Sequence, residues 1–207
     1  MTIEKQYSQS LSIEQVTSMV VQKVQDAAAA AAAKPKTELA GPGGWWDLWA
    51  YGPFQVTGIG GPLLPHKIVK VGEPFYVATV MFIYPVVLPG GVILVDLLTN
   101  LASEFSVQYC TADMCRVTRS TQFSRDAVTQ KLVPGQNFYV DVQRFDAVAG
   151  TESCVYEMNI CARITGCNPG SAPPLAGFAS AIYDFDSDLI LGTGPGFKGA
   201  PLRFQVY

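Results

Sequence analysis

The chain has 207 residues, a formal charge of −3 and a pI near 5.1, with 15% charged and 49% apolar residues. Its lysines and arginines are scattered, Arg116 and Arg119 being the nearest approach to a cluster, which excludes a broad phosphate-binding face and with it nucleic acid as a partner. Average soluble proteins carry about 25% charged residues, so this chain has little polar surface to turn toward water, and a partner is expected to cover part of its apolar surface. The leading expectation is a homo-oligomer.

The first six residues, Met-Thr-Ile-Glu-Lys-Gln, open no apolar segment of the secretory kind. The expectation is therefore a cytoplasmic protein with reduced thiols, the alternative being a surface or extracellular assembly exported by a non-standard route. Ser12 followed by Gln15 makes a capping-box pattern. After it, Ile13, Val16, Val20, Val24, Ala27 and Ala31 recur three or four residues apart, and Ala27–Ala33 is a run of strong helix formers. Pro35 stops the pattern. The spacing predicts a helix over about 12–34, roughly 33 Å long at 1.5 Å per residue. Its apolar stripe (Ile13, Val16, Val20, Val24) either docks on the chain's own domain or packs against neighbouring subunits. Residues 34–44, rich in Gly and Pro, read as a linker, giving an arm over 1–40 and a domain over 41–207.

The three tryptophans lie within five residues: Trp45, Trp46 and Trp49, followed by Tyr51 and Phe54. Such aromatics either plug a core or dock a protein partner, and stacking on a carbohydrate is a third use, with Asp47 the one hydrogen-bonding side chain close by. From Phe54 onward short β-branched and aromatic runs alternate with Gly, Pro, Asn and Asp. These predict strands near 54–59, 67–71, 75–84, 91–98, 103–109, 136–145, 153–165, 176–186 and 201–207, with weaker candidates at 115–119 and 127–133. The fold class that follows is mainly β: an antiparallel two-sheet sandwich, immunoglobulin-like or jelly-roll-like, with an N-terminal helical arm.

Two runs carry more information. Residues 153–165 alternate cleanly, with Cys154, Tyr156, Met158, Ile160, Ala162 and Ile164 on one face. Residues 75–84 and 91–98 are apolar on both faces, which a lone antiparallel sandwich does not expose to water. Their cover is either the chain's own helix or another subunit. The longest apolar runs, around Val77–Leu88 and Val92–Leu98, are interrupted by Pro85 and Asp96 with Pro89 between them, and neither reaches the roughly 20 residues that span a bilayer.

No catalytic constellation is legible, so a non-enzymatic structural or assembly role leads, and a monomeric binding module using the tryptophan segment is the alternative. His66 is the one histidine, beside Pro65 in a loop, and it lacks a nucleophile context. Nothing demands a cofactor. Asp184, Asp186 and Asp188 have the spacing of the first ligands of a calcium loop, although Leu189 and Pro195 occupy its glycine and glutamate positions. Otherwise the three form a solvated face. The five cysteines, 110, 115, 154, 161 and 167, match no zinc knuckle. A Cys110–Cys115 hairpin disulfide is the pairing considered, and alternation puts Cys154 and Cys161 on opposite faces.

Overall fold

A computed structural model describes residues 11–32, 46–55, 67–83, 90–92, 94–100, 104–148, 151–165, 175–178, 180–182 and 201–207. The domain is a two-sheet β-sandwich with a helix laid over one sheet. Helix α1 (Ile13–Ala32) precedes strand β1 (Trp46–Phe54), β2 (Ile68–Val69), β3 (Pro74–Ile83) and a short helix α2 (Leu94–Asn100). Then follow β4 (Glu104–Asp113), β5 (Thr118–Arg119), β6 (Arg125–Lys131), β7 (Phe138–Asp146) and β8 (Cys154–Thr165), with β9 (Leu175–Phe178), β10 (Ser180–Ile182) and β11 (Leu202–Val206) completing the described elements.

One sheet has the order β10-β1-β3-β7. The other runs β2-β11-β8-β4-β5, with β6 on the same side of β4 as β5 and β9 beside β8. Pairing is antiparallel except for two short edge pairs, β1 with β10 and β11 with β2. The inner faces meet in an aromatic centre. The Phe75 ring lies 5.4 Å from Phe123, 5.3 Å from Phe145 and 5.1 Å from Phe204. Such pairs add about 0.5–1.5 kcal/mol each beyond burial.

The alternation expected of residues 153–165 is realised. Cys154, Tyr156, Met158, Ile160, Ala162 and Ile164 are buried, while Val155, Asn159 and Arg163 reach solvent. The doubly apolar run is realised too, since β3 is buried from Phe75 through Ile83. Phe75, Val77, Met81 and Ile83 enter the sandwich core, whereas Tyr76, Ala78, Val80 and Phe82 meet α1 on the other side. The cover is therefore the chain's own helix, and β3 supplies no reason to invoke a second copy.

The capping box forms as the sequence indicates. The Ser12 N–H donates to Gln15 Oε1 at 2.8 Å, and the Gln15 N–H donates to Ser12 Oγ at 3.3 Å. Leu11 just before the cap and Val16 in the first turn are buried in the same cluster, a hydrophobic staple that sets the entry angle. Val16, Val20 and Val24 face the sheet. Ile13 does not; it is 36% exposed, and Leu11 fills the corresponding space. The opposite face, with Glu14, Ser18, Gln22, Lys23, Gln25 and Asp26, is polar and exposed.

Three expectations are corrected. Residues 91–98 are not a strand: Leu94–Asn100 is a helix with Asp96 in its first turn and Leu98 buried in the core. A short apolar run after Gly90 and Gly91 carries no period that separates strand from helix. The tryptophan segment is a strand, β1, with both faces used inside the chain. Trp46 packs against the main core, Trp49 stacks on Phe82 at 5.9 Å, and Tyr51 lies under α1. With Trp49, Tyr51, Val16, Val20 and Val24 all buried in one molecule, these residues present no docking surface. Finally, Cys115 pairs with Cys154, not Cys110. Trp45, His66, Cys167, Asp184, Asp186 and Asp188 lie outside the described residues. Among those residues no helix is long and apolar enough to cross a membrane.

Candidate functional site

With α1 closing one broad face and alternating polar residues finishing the other, the features left are at the ends of the sandwich. At one end β4 finishes at Asp113, the chain reverses through residues 114–117, and β5 pairs back on Ala112 and Asp113. Asp113 closes this turn from within: its Oδ1 accepts the N–H of Cys115 at 2.9 Å and of Arg116 at 3.1 Å. A short acidic side chain that reaches its own backbone two residues on is the usual means of stabilising such a reversal. The tip residue, Val117, has φ 55° and is 87% exposed. A β-branched residue in the left-handed region costs on the order of 1–3 kcal/mol and persists only where its flanks over-determine it.

The flanks here are covalent. β4 and β8 pair with Asp113 opposite Tyr156, so two steps further along Cys115 comes opposite Cys154. Their Cα atoms stand 6.0 Å apart and the sulfurs are bonded across a sequence separation of 39. In the chain-entropy account, closing a loop of that length stabilises by about 4 kcal/mol.

Beside the hairpin lies a cleft of about 270 Å³. Thr118, Arg119, Ser120, Thr121 and Gln122 form one wall, Thr151 and Glu152 the other, with Asp113, Arg116 and Tyr156 completing it. Its walls are fixed from behind. The Ser120 N–H donates to the Thr111 carbonyl at 2.8 Å, and Ser124 Oγ donates to the Ser120 carbonyl at 2.6 Å. Gln122 Nε2 donates to the Asp146 carbonyl at 2.7 Å and to Thr151 Oγ1 at 3.0 Å, tying the two walls together. Arg116 and Glu152 form an ion pair across the mouth. Arg119 meets Asp126 at 3.8 Å with both side chains exposed, an arrangement that contributes roughly 0–1 kcal/mol.

Burial, followed by the nearby charges of Asp113 and Glu152, pushes the Tyr156 hydroxyl above its ordinary value, with Arg116 opposing. It stays a neutral donor at physiological pH. The cleft thus offers hydroxyls, an amide and two guanidinium groups. Its two carboxylates are engaged, Asp113 by the turn and Glu152 by Arg116. This is hydrogen-bonding chemistry that holds a polar group.

Neither a family model nor a curated relative matches the chain. The solved structures that resemble it weakly include two of the CARDB domain of PF1109 from Pyrococcus furiosus. The solution structure has 12% identity and a TM-score of 0.28, covering 68% of this chain and 98% of that one. The crystal structure, described as a complex with di-metal ions, has 13% identity and a TM-score of 0.29, covering 72% of this chain and 100% of that one. Likenesses at this level carry no argument about a site.

The sequence reading missed the cleft. Its trace was present in the Arg116 and Arg119 pair and in the unbroken polar run Thr118–Gln122, but that stretch reads equally well as a plain surface strand. Of the apolar residues singled out instead, the fold spends Val16, Val20, Val24, Trp49 and Tyr51 on its interior.

Proposed function

We propose that the chain is a non-catalytic binding module that recognises a protein partner at the hairpin end of the sandwich. One observation supports this reading above the others. The tip sets exposed Met114, Val117 and Val155 beside the polar cleft, while the exposed face of α1 is polar apart from Ile13 and the outer face of β8 beyond Val155 carries Glu157, Asn159 and Arg163. Apolar side chains beside hydrogen-bonding groups on a rigid scaffold are what a modest protein–protein contact needs.

The expectation of self-association started from apolar surface in excess of what one copy can hide. Because α1 covers the outer face of β3, a second copy ranks as one candidate partner among others, with the tip as its contact.

A peptide library displayed on phage and selected against the full chain tests the proposal. Binders should lose affinity on Met114→Asp or Arg119→Ala and keep it on Gln25→Ala, which lies on the exposed face of α1. Binders indifferent to both tip substitutions would overturn it. Light scattering on the 22.3 kDa chain separates the occupants: an oligomer that Met114→Asp dissolves identifies the partner as another copy.

A further inference from the structure

Three metal-ligand groups converge at the base of the hairpin, and the binding proposal does not use them as such. A carboxylate oxygen of Asp113 and the Sγ atoms of Cys115 and Cys154 all lie within 4.8 Å of one another. Asp113 and Cys154 are buried and Cys115 is exposed, so the protein fixes two of the groups and the third reaches solvent. Backbone amides surround the set. The Cys115 N–H is directed at both Asp113 Oδ1, 2.9 Å away, and Cys154 Sγ, 3.2 Å away, and the Arg116 N–H adds a third contact at 3.1 Å. Converging N–H dipoles favour negatively charged atoms, which suits a carboxylate and thiolates. Cys154 Sγ also sits 3.0 Å from Asp113 Oδ1. A disulfide sulfur has no proton to share with that oxygen, so in the oxidised state this is a non-bonded contact that sets the carboxylate directly beside the sulfur.

We propose that on reduction Cys115 and Cys154 join Asp113 in binding one thiophilic divalent cation of the zinc class, with water as the fourth ligand. Two thiolates and a carboxylate suit a tetrahedral d¹⁰ ion and not calcium or magnesium, which take all-oxygen sets. The steps balance. A dithiol reductant gives two electrons and two protons to the S–S bond and itself becomes a disulfide, leaving two thiols. The cation then displaces both thiol protons to water and is held by two sulfurs and one oxygen. Disulfide and metal use the same sulfurs and exclude one another. Each state ties the hairpin to β8, so the strained tip keeps its support under oxidising and reducing conditions alike.

The test uses the full chain carrying Cys110→Ser, Cys161→Ser and Cys167→Ser, reduced with excess phosphine, desalted without oxygen and titrated with Co²⁺. The expected result is one equivalent bound, with a thiolate-to-cobalt charge-transfer band and strong visible absorption, both displaced by Zn²⁺ and absent from the oxidised protein. Cys115→Ser, at an exposed position, should remove most of the charge-transfer intensity with the circular dichroism unchanged. Asp113→Asn should weaken binding by roughly 10–100-fold, the scale found even for groups that only support a metal ligand. No band in the reduced protein, a band that survives Cys115→Ser, or a sulfur pair that alkylation and mass measurement show still bonded after phosphine would each overturn the proposal.

Discussion

The Tyr76 hydroxyl donates a 2.7 Å hydrogen bond to the carbonyl of Leu11, joining the middle of the four-stranded sheet to the residue that precedes the helix cap. Both residues are buried. The bond therefore satisfies a buried carbonyl at the point where the arm meets the domain. Tyr76→Phe keeps the ring packing on Phe54, 6.1 Å away, and deletes only the donor. An unsatisfied buried carbonyl costs about 1–3 kcal/mol. Urea denaturation should show a loss of that size, and amide exchange in α1 should quicken more than exchange in β8.

The capping box predicts a second, separable effect. Ser12→Ala and Gln15→Ala each remove one arm of a reciprocal pair, and each should cost about 1 kcal/mol. Because each bond props the geometry of the other, the double variant should lose less than the sum of the singles. Equal additivity in a double-mutant cycle would show that the two bonds act independently.

Val20 reports on what the helix covers. It is fully buried against the sheet. Val20→Asp removes roughly 1.5–3 kcal/mol of burial and places a charge in an apolar cluster. The helix should lift, uncovering Tyr76, Ala78, Val80 and Phe82. The variant is expected to bind a hydrophobic dye and to associate in light scattering, whereas Gln22→Asp on the exposed face of the same helix should do neither. A monomeric, dye-negative Val20→Asp would show that the docked helix contributes little.

That helix also marks how far the sequence could be read. The period of α1, its cap and the double burial of β3 were all legible, because each depends on local spacing alone. Which molecule supplied the cover was not, since one valine stripe fits any complementary apolar face. The same limit separates Trp49 from a docking role: a large aromatic looks alike whether its cavity belongs to its own chain or to another. The Cys115–Cys154 bond needed the register of β4 on β8, a relation between strands that no spacing encodes. The cleft was hidden for a different reason, because hydroxyl and amide side chains become a site only when two loops bring them face to face.

Gly52 tests the close passage of β1 over β3. Its φ is +126°, and a Cβ there would stand 2.8 Å from the Tyr76 carbonyl oxygen. That oxygen belongs to the backbone of a strand buried on both faces and has little room to move. Gly52→Ala should therefore destabilise by about 1–3 kcal/mol from conformation alone, with the clash adding to it, and a lowered urea midpoint would register this. Gly72→Ala is the control: its φ is +85° but nothing lies within 4 Å of the added Cβ, so only the conformational cost applies.

Alkaline pH should weaken the fold, and Tyr109 should dominate the effect. Its hydroxyl lies between the sheets, donating to Asp141 Oδ2 at 2.6 Å and sitting 3.0 Å from Thr79 Oγ1. Burial first, then the charge of Asp141 and the hydrogen bond to it, hold this hydroxyl well above its ordinary value, with the Thr79 contact opposing. Burial also raises Tyr76, Tyr139 and Tyr156. An unfolded tyrosine ionises near pH 10, while the folded chain keeps these protons. Above that pH the unfolded state binds fewer protons than the folded one, so stability present at neutral pH is lost as pH rises through the interval between the two values. The slope is roughly 1.4 kcal/mol per pH unit for each tyrosine still protonated in the fold. Urea midpoints should stay level up to about pH 9.5 and then fall, and Tyr109→Phe, less stable at neutral pH for want of its bond to Asp141, should fall less steeply. A variant whose alkaline slope matches the parent would show that Tyr109 gives up its proton as readily in the fold as in the open chain.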